Sequence, residues 1–419
     1  MEQIKTVATP LTRVTVLDAL RGFSLLGVIL MHMLQHYSIS PGSGSLETKP
    51  LFPYSDEVIG WIGQNIISGK FINVFAFLFG LSFFIQMDRA ARKGIDFRKR
   101  FVWRMVILLA IGQIGNMFYS GEIISLYAVY GVLLVILYNV RGWILMLIFS
   151  LILIGTPRVL QVSYDKMVKT EQSGIRAGTG AATHKQVYRM PVKQEKPSFI
   201  NSVKHNFTAG LQSKLNYQFG MFGRGYLTFA LFILGLVVGR TGFFEKVNVS
   251  AKRNLILFAA FVLVYAVAVT VISLSTPANL FALLRSGEPI PLSLLFIMAL
   301  NDIATVALSC TLVMGFIMLY KTKRFGKYLD MLSPYGRMGL TNYEVQSVIG
   351  CFMFSMWSFG SFFGRMGATE LFVTGILIYI IQLLFSRYWL KLYLYGPLEW
   401  LWRSATYREL QPFRKRDNI

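Results

Sequence analysis

The sequence predicts an all-α polytopic membrane protein, a bundle of about ten transmembrane helices in one domain, residues 1–419. Of the 419 residues, 54% are hydrophobic and only 15% are charged, whereas soluble domains average about 25% charged residues. At least nine stretches contain 17 or more mostly apolar residues, which is enough to cross a hydrocarbon core about 30 Å thick. Basic residues gather at the ends of these stretches, as is typical of membrane proteins.

Ten spans follow from these apolar stretches. The first, from about Val14 to Tyr37, is too long for the core of a signal peptide and lacks a small-residue cleavage site, so we expect it to remain as a span. The predicted spans are 14–37, 57–88, 104–120, 122–140, 142–160, 225–240, 254–276, 292–320, 338–358 and 369–393.

The net charge is +22, and the positions of the basic residues along the chain indicate its orientation in the membrane. Because these residues cluster at the ends of apolar stretches, no nucleic-acid partner is predicted. Basic clusters follow the second, sixth, eighth and tenth spans, while the alternate short loops carry few charges. Cytoplasmic loops of membrane proteins carry the excess of lysine and arginine, so both chain ends are expected in the cytoplasm and the protein in a bacterial inner or plasma membrane. Cys310 and Cys351 fall inside spans, and no disulfide or metal site is predicted.

One long segment, at about 161–224, is predicted on the outer side. Its first half is glycine-rich, from Gly174 to Thr183, and is expected to be mobile. Its second half has apolar residues at four-residue spacing, between Phe199 and Leu215. This pattern indicates an amphipathic helix lying on the membrane surface. A loop packed on the bundle is the alternative.

The first span contains the most ionisable residues, which are costly inside a membrane and therefore mark candidate functional sites. Arg21 and His32 are eleven residues apart, about three helical turns and about 16 Å along the axis, so they share a face. Asp18 and His36, at three and four residues from them, are expected to extend this face in both directions.

This stripe suggests a donor held from the cytoplasm and chemistry nearer the outer side. Arginine suits a phosphate, and histidine can accept and return a proton near neutral pH. An acyl-coenzyme A thioester, such as acetyl-CoA, fits this arrangement in outline. The alternative is structural: Asp18 and Arg21 form an ion pair, and His32 makes a hydrogen bond between helices.

Further polar residues extend the candidate site. Glu122 lies in the predicted outer turn after the third span and is a candidate carboxylate to orient His32. Arg337, at the cytoplasmic end of the ninth span, is a candidate second phosphate contact or a headgroup anchor. Asn342 and Gln346 share one face of that span and are candidate donor-binding residues.

Four other polar residues fall inside spans without a clear role. Asp302 is expected to face the bundle interior or a wet cavity. Glu344 is charged at a position where an apolar residue is expected, and Lys70 and Asn73 lie early in the second span, where a structural role is favoured.

Several ordered motifs make the chain resemble the YeiB-like family of uncharacterised bacterial membrane proteins. The resemblance runs nearly end to end. The motifs are LDALRG at 17–22, FLFG at 77–80, GRM at 336–338, LTNY at 340–343 with QS at 346–347, and GPLEWLWR at 396–403.

That family is distantly similar to transmembrane acyltransferases, which include polysaccharide O-acetyltransferases and the lysosomal heparan glucosaminide N-acetyltransferase. In the O-acetyltransferases an arginine and a histidine on the first span, at the spacing of Arg21 and His32, are implicated in acyl transfer. Many YeiB-like proteins have asparagine near the position of His32. The resemblance implies transfer from cytoplasmic acyl-coenzyme A to a small-molecule, glycan or glycolipid acceptor at the outer face, with His32 as base or carrier.

Other functions remain open from the sequence. A transporter or flippase would use Asp302, Glu344 and His32 to bind substrate or protons, but no repeated half is visible. A membrane sensor or assembly partner would use the basic tail after Arg403. A homodimer is compatible with the sequence.

Overall fold

The computed structural model is all-α, which confirms the predicted fold class. It describes residues 15–38, 49–164, 167, 196–246, 250–275 and 291–415. Within these ranges there is no strand, and the only β-type pairing is an isolated bridge between Tyr393 and Arg414. The glycine-rich segment from Gly174 to Thr183 lies outside the described residues.

Nineteen helices are described, with two π-helical turns at Gly63–Ile67 and Asn206–Gly210. The helices are α1 Thr15–Leu34, α2 Pro53–Ile62, α3 Lys70–Ala91, α4 Arg98–Phe118, α5 Ile124–Leu137, α6 Gly142–Leu153, α7 Thr156–Tyr164, α8 Phe199–His205, α9 Leu211–Phe219, α10 Arg224–Arg240, α11 Phe243–Lys246, α12 Ala251–Ser275, α13 Leu292–Tyr320, α14 Lys323–Asp330, α15 Ser333–Arg337, α16 Gly339–Phe354, α17 Gly360–Phe363, α18 Ala368–Leu392 and α19 Pro397–Tyr407.

Several of these helices can cross a membrane, as expected for a multi-pass protein. In the described part of the chain, six are long and apolar enough, counting Pro53–Ala91 as one. The number rises to eight if α6 with α7, bent by 56°, and Phe199–Phe219 with α10, bent by 59°, each form one span. The apolar helix α5 is shorter. The predicted count of about ten is therefore approximate.

The basic clusters meet at one end of the bundle, which we call the basic end. Arg89, Arg100, Arg104 and Arg403 line one surface cavity there. Arg240, at the end of α10, donates hydrogen bonds to the carbonyls of the turn between α5 and α6. This grouping agrees with the orientation inferred from charge, in which the basic end faces the cytoplasm.

Glycine permits the closest helix contacts at two of the motifs. A Cβ at Gly336 would collide with the carbonyl oxygen of Asp18, so α15 lies directly against α1. A Cβ at Gly80 would collide with the carbonyl oxygen of Phe232, so α3 and α10 are in backbone contact. Small residues allow such close approach between membrane helices. These contacts explain the glycines of GRM and FLFG.

The GPLEWLWR motif forms α19, a helix that begins with Pro397 and lies across the basic end. Glu399 accepts hydrogen bonds from the backbone N–H groups of Leu340 (2.7 Å) and Thr341 (3.0 Å). Burial raises the pKa of the Glu399 carboxyl, although these bonds oppose the shift. The carboxyl of α19 thus caps the N-terminus of α16, where it also meets the helix dipole.

The opposite end of the bundle is covered by the helical segment Phe199–Phe219. Phe199 packs between Phe118 of α4 and Trp357, and Trp357 donates a hydrogen bond of 3.0 Å to Ser202. Asn206 donates to the Met117 carbonyl. The predicted helix is present and packs on the bundle, while its position at a membrane surface stays a prediction.

Candidate functional site

A cavity of about 240 Å³ opens at the basic end and is lined there by Arg21, Arg104 and Arg337. We call it the arginine cavity. Its deeper wall is apolar and aromatic and includes Phe79 and Tyr127. Three cations at the mouth and an apolar interior suit a ligand with an anionic head and a less polar arm.

Arg21 is held in place by two neighbours. Its guanidinium pairs with the Asp18 carboxylate at 2.7 Å and donates to the Ser82 hydroxyl at 2.5 Å. Asp18 is buried and does not line the cavity, whereas Ser82 does. The structure thus places Arg21 and Arg337 in the lining of one cavity and makes Asp18 the ion partner of Arg21, while the binding of a donor by these residues stays a prediction.

Arg104 also lines the cavity. It belongs to the basic cluster after the second predicted span, from which only the orientation of the chain in the membrane was predicted. Its guanidinium stacks on the Trp402 ring, 3.6 Å from the centroid, and Trp402 donates a hydrogen bond to the Arg104 carbonyl. Its Nε is enclosed and has no hydrogen-bond partner in the described part of the protein. The WLWR motif was the available signal, because arginine pairs readily with tryptophan.

His32 lies at the other end of α1, in a cluster of aromatic and charged side chains. Its Nδ1 is 3.1 Å from the Tyr119 hydroxyl, and its ring also packs against Tyr37. Its Nε2 is buried and has no hydrogen-bond partner among the described residues. We call His32, Tyr119, Glu122, Lys214 and Glu344 the histidine cluster.

Glu122 belongs to this cluster but does not orient His32 as predicted. Its carboxylate accepts hydrogen bonds from the Ser125 backbone (3.0 Å) and hydroxyl (2.7 Å), and Lys214 lies 3.4 Å away. Burial raises the pKa of Glu122, against the opposing effects of Lys214 and Ser125. Tyr119 takes the orienting position instead. Lys214 comes from α9, a contact that local sequence spacing does not reveal.

The prediction that His36 continues the stripe is wrong. Helix α1 ends at Leu34, and His36 and Tyr37 both adopt positive φ, 51° and 50°. This left-handed backbone turns the chain away from the helix axis. The His36 ring packs against Phe354, so this histidine is separated from the Arg21 and His32 face.

Glu344, an unexplained charge in the sequence, joins the histidine cluster. It is 8% exposed and packs against Gly115, where any Cβ would collide with its carboxylate oxygens. Its Oε1 is buried without a hydrogen-bond partner in the described part of the chain. Glu122 and Lys214 both lie within electrostatic reach of it.

Asn342 and Gln346 lie outside the arginine cavity, which corrects their prediction as donor-binding residues. Asn342 donates to the Tyr335 carbonyl and to Ser386, both at 3.0 Å. Gln346 donates to the Tyr335 hydroxyl at 2.6 Å, and that hydroxyl donates to Gln382 at 2.9 Å. We call these residues the amide network. It fastens α16 to α15 and α18, a structural role.

Asp302 forms an ion pair with Arg158, with 2.6 Å between Nη1 and Oδ2 and both side chains buried. Arg158 also donates to the carbonyls of Met221 and Phe222. Asp302 is thus the ion partner of a buried arginine, which favours a structural role over the binding of protons or substrate expected of a transporter.

The arginine cavity and the histidine cluster are joined by α1 and α5. Arg21 and His32 lie on the same uninterrupted helix, about 16 Å apart along its axis. The deep wall of the cavity includes Ile124, two residues after Glu122, but not His32. Between them, the Ile123 N–H donates to the Tyr343 hydroxyl at 3.2 Å. A layer that includes Ile123 and Tyr343 thus lies between the cavity and the cluster.

Comparison with known proteins shows similarity to bacterial proteins that are themselves described as uncharacterised. Residues 238–409 match the family model described as Protein of unknown function (DUF418). A stretch of 77 residues, 18% of this chain and 19% of the relative, is 39% identical to the uncharacterized protein YeiB of Escherichia coli (strain K12). These matches support a YeiB-like family. The resemblance seen in the motifs is confirmed.

Two further relatives match over nearly their whole length. The uncharacterized protein YxaH of Bacillus subtilis (strain 168) is 27% identical, with 97% of both chains covered. An uncharacterized 39.9 kDa protein encoded in the amylase 3′ region of Bacillus acidopullulyticus is 25% identical over 96% of this chain and 95% of its own. The fold and both polar regions therefore lie within the span shared with YxaH.

Proposed function

We propose that this protein is a membrane acyltransferase that moves an acetyl or other acyl group from cytoplasmic acyl-coenzyme A to an acceptor at the outer face of a bacterial inner membrane. The observation that carries the proposal is the arginine cavity, which opens at the basic end and extends between α3, α4 and α5 as far as Ile124, two residues from Glu122 of the histidine cluster. The distant resemblance to transmembrane acyltransferases points the same way.

The cavity suits the donor by charge and polarity. Arg21, Arg104 and Arg337 supply positive charge, while Glu399, the acidic side chain in the lining, is engaged in capping α16. Phosphates of coenzyme A would bind the guanidinium groups. The apolar wall at Phe79 and Tyr127 would take the pantetheine arm with its thioester toward Ile124.

His32 is the proposed general base. When Nδ1–H donates to the Tyr119 oxygen, the Nε2 lone pair accepts the proton of the acceptor hydroxyl or amine as that group attacks the thioester carbonyl. The C–S bond then breaks, and the coenzyme A thiolate takes the proton back from His32. Movement of the layer around Ile123 and Tyr343 would bring the thioester to Nε2.

The test separates donor binding from chemistry. Purified full-length protein in lipid nanodiscs is supplied with acetyl-CoA and a panel of sugar, glycolipid and amine acceptors, and free coenzyme A is measured. His32→Asn should lower kcat by about 100-fold or more, the usual contribution of a general base. Arg104→Gln should instead raise KM for acetyl-CoA by about tenfold, because a charge-assisted hydrogen bond is lost.

The control is Arg240→Gln, which removes a cation from the basic end but outside the cavity, and whose KM and kcat should be unchanged. Melting temperatures of all variants exclude unfolding as the cause. Normal turnover by folded His32→Asn, or equal effects of the Arg104 and Arg240 substitutions on KM, would overturn the proposed site.

A further inference from the structure

Three cations and one acid meet near the end of the bundle opposite the basic end. They are Lys70, Arg158, Arg224 and Asp302, and we call them the outer cationic site. Lys70 is 8% exposed, and Arg158 and Asp302 are each 5% exposed. Arg224 acts electrostatically on both Lys70 and Asp302. These groups therefore form one charged cluster, in which Lys70, Arg158 and Asp302 are buried and Arg224 is half-buried.

Neutral groups accept hydrogen bonds from Arg224 and Lys70 but do not balance their charge. Arg224 donates to the Gly69 carbonyl (3.3 Å) and to the Asn73 side-chain oxygen (3.1 Å). Lys70 donates to the Gln64 carbonyl at 3.2 Å. Only Arg158 pairs with a carboxylate, that of Asp302. Within the described residues, the cluster thus has two more positive charges than negative ones.

Two helix N-termini add to this positive field. Helix α3 begins after Gly69 and α10 after Gly223, and both glycines have positive φ, 77° and 60°. A glycine has no side chain with which to cap the first-turn N–H groups, and a helix N-terminus carries partial positive charge. Positive charge that no anion balances is unfavourable in a site with little access to water, so the site should attract an anion.

An apolar cavity of about 250 Å³ begins beside the outer cationic site. Asn73, which accepts the hydrogen bond from Arg224, lines this cavity together with Ser309, to which it donates. The remaining wall is apolar apart from Cys310 and is formed by α3, α10, α12, α13 and the α11 region. Helix α12 is largely exposed, because only 6% of its most apolar stretch is buried inside the protein. This wall therefore borders the surrounding lipid.

The site also lies at the right depth for a headgroup. Along their helices, Arg224 is about 24 Å from Arg240, and Asp302 is about 27 Å from Tyr320, at 1.5 Å per residue. Both distances approach the hydrocarbon thickness of about 30 Å. The charged cluster is therefore near the far membrane interface, and the apolar cavity extends from it back toward the basic end.

We propose that the outer cationic site binds the anionic headgroup of a lipid from the outer leaflet, and that the adjoining apolar cavity holds one of its acyl chains. The headgroup phosphate binds Arg224 and Lys70 and supplies the missing negative charge. The chain passes Asn73 and lies between α3, α10 and α12. This site is distinct from the arginine cavity and does not depend on the proposed transferase activity.

Lipid retention measured by native mass spectrometry tests this site. Full-length protein in detergent is incubated with phosphatidylglycerol or with phosphatidylcholine of the same chains, at equal concentration. The wild type should retain phosphatidylglycerol several-fold more. Arg224→Gln should abolish this preference, and Val238→Trp, which fills the apolar cavity without removing a charge, should lower retention. Lys323→Gln, an exposed cation at the basic end, should match the wild type.

Each remaining outcome is decisive. Equal retention of the two lipids by the wild type, or retention unaffected by both Arg224→Gln and Val238→Trp, overturns the site. Displacement of phosphatidylglycerol by inorganic phosphate at a similar concentration would show a free-anion site and also overturn the lipid proposal. If Arg224→Gln does not fold, Val238→Trp alone decides.

Discussion

The histidine cluster and the amide network are both buried polar regions, yet they differ in the kind of side chain that has an atom without a hydrogen-bond partner. In the amide network, Tyr335, Gln346 and Gln382 bond to one another, and Asn342 bonds to Ser386 and a backbone carbonyl. The unpartnered atom there, among the described residues, is the amide oxygen Oε1 of Gln346. In the histidine cluster, the unpartnered atoms in the described chain are Nε2 of His32 and Oε1 of Glu344, and both belong to side chains that can gain and lose a proton.

This difference separates structure from candidate chemistry. Polar groups that satisfy one another inside a membrane protein fasten helices together. A buried polar atom without a partner costs about 1–3 kcal/mol in either region, so this cost alone does not separate them. An imidazole or a carboxyl group can transfer a proton, whereas an amide cannot, so we propose a stabilising role for Asn342 and Gln346 and a chemical role for His32 and Glu344.

Among the variants that test this comparison, Tyr119→Phe is expected to have the largest effect. Tyr119→Phe removes the hydroxyl that faces His32 Nδ1 and leaves the ring packing in place. We expect kcat for acyl transfer to fall by about fivefold, because the loss of one orienting hydrogen bond costs about 1 kcal/mol, with KM for acetyl-CoA unchanged. Steady-state kinetics and the pH profile of kcat measure this. A change in KM alone would contradict a positioning role.

The matched change in the amide network is Tyr335→Phe. It removes a hydroxyl that bonds Gln346 and Gln382, so we expect a loss of about 1 kcal/mol in the free energy of unfolding. Turnover per folded molecule should not change. Denaturant unfolding in detergent and the kinetic assay are run on the same preparation. A tenfold loss of turnover with normal stability would move the amide network into the catalytic site.

The features of the site and the fold that depend on helical spacing could be predicted from the sequence. Arg21 and His32 share α1 because eleven residues return to one helix face, and apolar stretches identify the helices. The end of α1 was missed because no glycine or proline marks it, and His36 was therefore misplaced. Tyr119 lies 87 residues from His32 and Lys214 lies 92 from Glu122. Such contacts are set by the packing of distant helices, which local patterns do not encode.

The smallest expected effect concerns Glu122, whose pKa is raised by burial. In the folded protein the Glu122 carboxyl therefore stays protonated up to a higher pH than its ordinary pKa of about 4.3 would allow. The stability that Glu122 contributes is complete below that value and is lost as pH rises through its higher folded-state pKa. Glu122→Gln, which stays neutral, should therefore gain melting temperature relative to wild type as pH rises from about 4, by a few degrees at most.

Lys214→Gln provides the opposite variant. Lys214 lies 3.4 Å from Glu122 and lowers its pKa, so its removal should make the loss of stability with rising pH steeper than in wild type. Melting temperatures of the three proteins across about pH 4 to 8 give the comparison. If wild type instead gains stability over Glu122→Gln as pH rises, the ion pair with Lys214 outweighs burial. The cluster would then be held by a charged pair, as a structural region is, and its contrast with the amide network would rest on His32 and Glu344 alone.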